Sequence, residues 1–280
     1  MSFEAPLRAG SRRQTWDEQT IPVFAGPSLT PTNRPEGPFE WLPPAAAGDV
    51  LALLDRSPAR LCLIDGLFDS CPAPWHKELL LLMSRGTVIF GASSMGALRA
   101  AELYPFGMLG IGAIFRAYRA QRLHGDDEVA LIHATGALDW APLTVPMIEV
   151  RATLVAACRA GLLSTPVARH IRALVREIHY ERRDWPMMAA ACLAEGLNDA
   201  ETFRRLEAMH VPLKRQDALE CLAAAQSWKG APARPPPPPD TCFIRKLAAE
   251  LPAMPRQDGG PPRHRRRSAR PLRPAADDGA

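Results

Sequence analysis

Short apolar runs alternate with longer segments of helical period through the first two thirds of the chain. "IPVFAG" (21–26), "LCLIDG" (61–66) and "TVIFGA" (87–92) are compact apolar runs that each reach a glycine, the pattern that predicts buried strands. "AAAGDVLALLDRS" (45–57) and "PWHKELLLLMSRG" (74–86) predict helices between them, the second with Pro74 at its first turn, an apolar block Leu79 to Met83, and Gly86 as its stop. "EVALIHA" (128–134) predicts a fourth strand. "IGAIFRAYRAQ" (111–121) predicts a helix with Ile111, Ile114, Phe115 and Tyr118 on one face. From "VPMIEVRATLVAACRAGLL" (145–163) to Trp228 the period is helical, with breaks near Pro166, Pro186, Gly196 and Pro212. Strand, helix, strand repeated predicts an α/β fold: an open, mostly parallel, Rossmann-like sheet with flanking helices, followed by an all-helical C-terminal extension and disordered tails.

The predicted boundaries are a disordered N-terminus (1–20), an α/β core domain (21–165), a helical extension (166–228) and a Pro/Arg-rich disordered tail (229–280). Residues 231–280 hold twelve of the 29 prolines, which supply no backbone donor; a spacer is the expectation there. Charge sharpens the division. The 280 residues carry a formal +4, yet ten Lys/Arg stand against five Asp/Glu in 231–280 alone, so the remainder is close to neutral. No basic face is left for nucleic acid, which is not an expected partner. Six scattered cysteines without a C-x-x-C pair suggest neither a zinc site nor a disulfide framework. No signal-peptide core and no membrane-length apolar run occur, so the expectation is a cytoplasmic protein without membrane contact.

In open parallel sheets ligands bind beyond the carboxyl ends of the strands, where helix N-termini present unpaired N–H groups. That edge carries Gly26 and Ser28 after the first strand, Asp65 and Gly66 after the second, and Gly91-Ala92-Ser93-Ser94-Met95-Gly96 after the third. His76 opens the helix after the second strand. Three readings of the serine turn stand open. Its backbone N–H groups hold an anion; or "ASSMG" approximates the nucleophile elbow G-x-S-x-G, with Ser94 as nucleophile, His76 as base and Asp65 as orienting acid; or Ser94 is an N-cap. Arg99 forms an i, i+3 pair with Glu102 or attracts a ligand anion. Asp126, Asp127 and Glu128 read as a solvated acidic turn on the opposite edge rather than a cation site. Neither G-x-G-x-x-G nor a P-loop lysine pattern is present, so a nucleotide ranks last among ligands, and no cofactor or metal is expected.

Taken together, "VFAGPSL", "LIDGLFDSCPAPWHKELL", "GTVIFGASSMGALRAAEL", "FGMLGIGAIFRAYR", "DDEVALIH" and "PLTVPMIEVRATL" resemble the TfuA-like core domain over about residues 21–165. The resemblance implies an accessory protein of YcaO-dependent backbone thioamidation in ribosomal peptides or proteins. Its implied partners are a YcaO-type cyclodehydratase and a ThiS-like thiocarboxylated carrier protein, whose C-terminal thiocarboxylate would be hydrolysed to deliver sulfide. A non-catalytic adaptor that binds, activates or recruits YcaO is the alternative. Acyl chemistry fits the predicted edge: Ser94, His76 and Asp65 as catalytic candidates, with Gly26, Ser28, Gly66, Gly91, Ser93, Gly96 and Arg99 as binding candidates.

Overall fold

The computed structural model describes residues 19–67, 71–197 and 199–250. Five parallel strands form one sheet: β1 (Ile21–Phe24), β2 (Phe39–Leu42), β3 (Arg60–Leu63), β4 (Val88–Gly91) and β5 (Leu109–Gly110), in the order β2-β1-β3-β4-β5. The chain lays β2 on one side of β1 and then crosses to β3 on the other. The strand order therefore reverses between β1 and β3, and that crevice is where an open α/β sheet binds ligands.

The strands are legible in the sequence because both faces of the sheet are buried. Leu61, Leu63 and Ile89 join Phe24 in one core layer with α1 (His76–Ser84), α2 (Met95–Leu103) and α3 (Gly112–Arg119). Cys62, Ile64, Val88 and Phe90 join Ile21 and Val23 in the other. The alternation along each strand is the period of two that a pleated strand imposes. Ala218, Cys221, Leu222 and Ala225 of the long C-terminal helix α8 (Leu213–Ser227) cover this second layer.

Between these elements α4 (Met147–Arg159), α5 (Thr165–Glu177), α6 (Trp185–Ala194) and α7 (Ala200–Ala208) pack around a third core of Met147, Leu154, Ile171, Met188 and Phe203. Pro166 and Pro186 sit in the first turns of α5 and α6, where a missing N–H costs nothing. After Trp228, which meets Phe90 edge-on at 5.8 Å, the chain runs extended and ends its described course in α9 (Cys242–Glu250), with Ile244 buried. The expected disordered termini lie for the most part outside the described residues.

Besides β5 and α9, which the sequence expectation does not contain, three elements differ from it. β2 is an edge strand of four half-buried residues within "RPEGPFEWLPP", whose turn residues conceal it. The helix expected over 45–57 is only a 3₁₀ turn, Leu51–Leu53. Gly48 takes φ +99°, and the N–H groups of Gly48 and Leu51 donate to buried Glu78 instead of building a helix. The strand expected over 128–134 does not form. Glu128 ends a 3₁₀ turn and pairs with Arg151 through two hydrogen bonds. Residues 129–134 then cross the carboxyl edge of the sheet, making one isolated bridge, His133 to Pro142. Their apolar character serves packing against that edge, which periodicity cannot distinguish from strand pairing.

Asp217 of α8 ties the two faces together by accepting from the N–H groups of Ala113 and Ile114 at the start of α3, at 2.8 and 2.7 Å. It acts as a cap supplied from a distant helix. Asp217→Ala is expected to cost about 2 kcal/mol of unfolding free energy, read as a shift of the urea midpoint at unchanged slope.

Candidate active site

The β4–α2 turn is built for close approach. A side chain at Gly96 would run into the carbonyl of Leu63, and the Gly96 N–H donates to the Ile64 carbonyl at 3.1 Å, so α2 begins hard against β3. Gly91 faces the Gly96 carbonyl with the same lack of room. To turn so sharply, Ser93 adopts φ +68°, a left-handed conformation that costs a non-glycine residue about 1 kcal/mol or more.

What fixes Ser93 there is a chain of buried hydroxyls. Its Oγ donates to Ser28 Oγ at 2.8 Å, and Ser28 Oγ donates to Asp65 Oδ1 at 2.6 Å. Asp65 Oδ2 accepts from the N–H groups of Gly26 and Ser28 at 2.8 and 3.0 Å. One carboxylate thus joins the ends of β1, β3 and β4, three of the loops expected to converge. Gly26 is needed because Pro44 occupies the space a side chain would fill, and Gly66 because Met95 does.

Ser94 sits at the N-cap position of α2 with φ −111° and ψ −122°, and its hydroxyl makes no capping hydrogen bond. Instead it lines a cavity of about 180 Å³ whose wall also includes Asp65, Gly66, His133, Tyr180 and Lys214. Of the two adjacent serines, Ser93 takes the left-handed conformation and binds the loops together. Ser94 presents its hydroxyl to open space.

His133 is not singled out by the sequence, because it lies in a segment that reads as a strand. Its Nδ1 lies 2.8 Å from the Ala134 carbonyl. A carbonyl only accepts, so Nδ1 carries a proton, and in the neutral ring Nε2 is the nitrogen with the lone pair. Trp140 packs edge-on against the ring at 5.4 Å. Lys214, in the first turn of α8, is 3% exposed and donates from Nζ to the Val129 carbonyl at 3.0 Å. Burial lowers its pKa, while the charges of Asp65 and Glu149 work against that. No local pattern marks Lys214 as special, since its burial depends on α8 crossing the sheet edge.

His76 and Arg99 occupy a different place. His76 Nε2 meets Glu102 Oε2 at 2.6 Å with both side chains nearly half exposed. Arg99 donates to the same Glu102 oxygen at 2.8 Å and to the Pro74 carbonyl at 2.9 Å, so the i, i+3 pair is present. Burial raises the Glu102 pKa, but the His76 hydrogen bond and the Arg99 charge outweigh it and hold this carboxyl below its ordinary value. Neither His76 nor Arg99 is part of the wall shared by Ser94, Asp65 and His133.

Among the described residues no His/Cys/Asp/Glu group has the arrangement of a metal site, and no helix is long and apolar enough to cross a membrane. Residues 65–184 match the family model described as TfuA-like protein. No curated protein matches the chain. The matched stretch opens at Asp65 and contains Ser93, Ser94 and His133; Gly26, Ser28 and Lys214 lie outside it.

Proposed function

We propose, from the premise that this chain is a TfuA-like protein through residues 65–184, that it hydrolyses the C-terminal thiocarboxylate of a ThiS-type carrier and delivers the sulfide to a YcaO cyclodehydratase for backbone thioamidation. The family is generally associated with YcaO partners, and the domain is consistent with a role in YcaO-associated thioamidation. The finer reading rests on one observation: an uncapped serine at a strand-to-helix turn lines the same cavity as a histidine whose Nδ1 is engaged by a backbone carbonyl.

The chemistry follows from these groups. Ser94 Oγ attacks the thiocarboxylate carbon while His133 Nε2 takes the hydroxyl proton. The carbon–sulfur bond breaks, the sulfur leaves with that proton, and an acyl-serine ester remains. Water then attacks the ester with His133 again as base, giving the carrier carboxylate and restoring Ser94. The balance is one thiocarboxylate and one water to one carboxylate and hydrogen sulfide, with no oxidant or reductant. As the residue after the serine, Met95 contributes its backbone N–H as oxyanion donor in the manner of an elbow turn. Asp65 does not touch His133; it holds the loops that place Ser94.

Sulfide release from a thiocarboxylated carrier by the purified protein tests this reading, and release no faster than the spontaneous rate supports the adaptor alternative. His76→Ala is expected to retain sulfide release within about twofold, because an exposed pair of this kind contributes little. A loss on the scale of a missing general base, about 100-fold or more, would return the base role to His76.

A further inference from the structure

Lys214 enters the cavity from outside the matched stretch and brings the wall its one ammonium group among the described residues. An ammonium has three N–H donors, and the Val129 carbonyl takes one of them. The two carboxylates whose charges reach it are committed to other donors. Asp65 accepts from Gly26 N, Ser28 N and Ser28 Oγ, and Glu149 accepts from the Lys214 backbone N–H and from His210. Neither carboxylate forms an ion pair with the ammonium among the described residues, so a buried cation is left with donors to spare, and the cavity is where a ligand can supply acceptors.

We propose that Lys214 is the residue that recognises the anionic head of the cavity's ligand, selecting a singly charged carboxylate-type group at the end of a chain of small residues. Two carboxylate charges already act on this one lysine, so a dianionic phosphate meets more repulsion there than a monoanion does. Pro27, Pro44 and Leu67 line the same cavity, whose volume of about 180 Å³ admits small side chains more readily than bulky ones. The inference rests on the acyl-hydrolase reading only for the identity of the chain behind the head group, and it makes α8, beyond the matched stretch, part of the site.

Titration calorimetry of the full chain with the tripeptide Ala-Gly-Gly as free acid and as C-terminal amide tests it. The free acid is expected to bind about tenfold to a hundredfold tighter than the amide, the range of one charge-assisted hydrogen bond in a buried site. Lys214→Met should abolish that preference, and inorganic phosphate should compete poorly. Equal affinity for acid and amide, no binding of the acid, strong competition by phosphate, or a preference that survives in Lys214→Met would each overturn the proposal. If that variant does not fold, the acid-to-amide ratio of the unaltered protein decides. A protein that prefers the acid through Lys214 but releases no sulfide sinks the hydrolase reading and leaves this one standing.

Discussion

Ser94→Ala is expected to slow sulfide release from a thiocarboxylated carrier by about 10³-fold or more, the scale on which removal of a serine nucleophile acts. Carrier binding should stay nearly unchanged, because the hydroxyl acts on the reacting carbon and not on the body of the ligand. The contrast with its neighbour gives the test its resolution. Ser93 is wholly buried, and its hydroxyl is committed to Ser28, so Ser93→Ala should disturb the turn and lower stability and turnover together. In Ser94→Ala only the chemical step should fall, with unfolding free energy held within about 1 kcal/mol. His133→Ala should slow the same step by about 10² to 10⁴-fold, the usual span for a general base. Full sulfide release by Ser94→Ala would end the covalent route and leave water as the attacking group, with His133 as its only base.

The convergence of these loops is readable in the sequence, and for a definite reason. The rule that ligands lie beyond the carboxyl ends of parallel strands needs only the strand runs and their order. Three of those runs are apolar segments that reach a glycine, so Ser28, Asp65 and the serine pair fall on one edge, and hydrogen bonds join Ser28, Asp65 and Ser93 there. The misplaced parts have a common cause. His76 starts α1 as expected, yet sharing an edge does not decide where a side chain points, and Glu102 draws the imidazole aside. His133 is hidden because an apolar run buried against a sheet edge has the same signature as a strand in the sheet. Lys214 is beyond reach in principle: its role comes from α8 returning over 100 residues after β5 to cover the sheet's second face, a long-range packing event without local trace.

Asp65→Ala should be the most destabilising single substitution at this edge, with an expected loss of about 3 to 5 kcal/mol of unfolding free energy. Removing the carboxylate strands two buried N–H groups, those of Gly26 and Ser28, and one buried hydroxyl, and each buried donor without a partner costs about 1 to 3 kcal/mol before relaxation. The conservative variant Asp65→Asn separates hydrogen bonding from charge. Its side chain would keep one carbonyl oxygen for the two N–H groups and turn its amide nitrogen towards Ser28. The Ser28 hydroxyl would then accept from that amide and donate to Ser93, reversing the hydroxyl chain without breaking it. Asp65→Asn should therefore lose only about 1 to 2 kcal/mol. Denaturant unfolding of the two variants decides. If both fall by the same large amount, the negative charge itself, acting on buried Lys214, dominates over the hydrogen-bond network. If neither loses more than about 1 kcal/mol, the network does not hold β1, β3 and β4 together, and the φ of Ser93 must be imposed by the close approach of Gly96 to Leu63 alone.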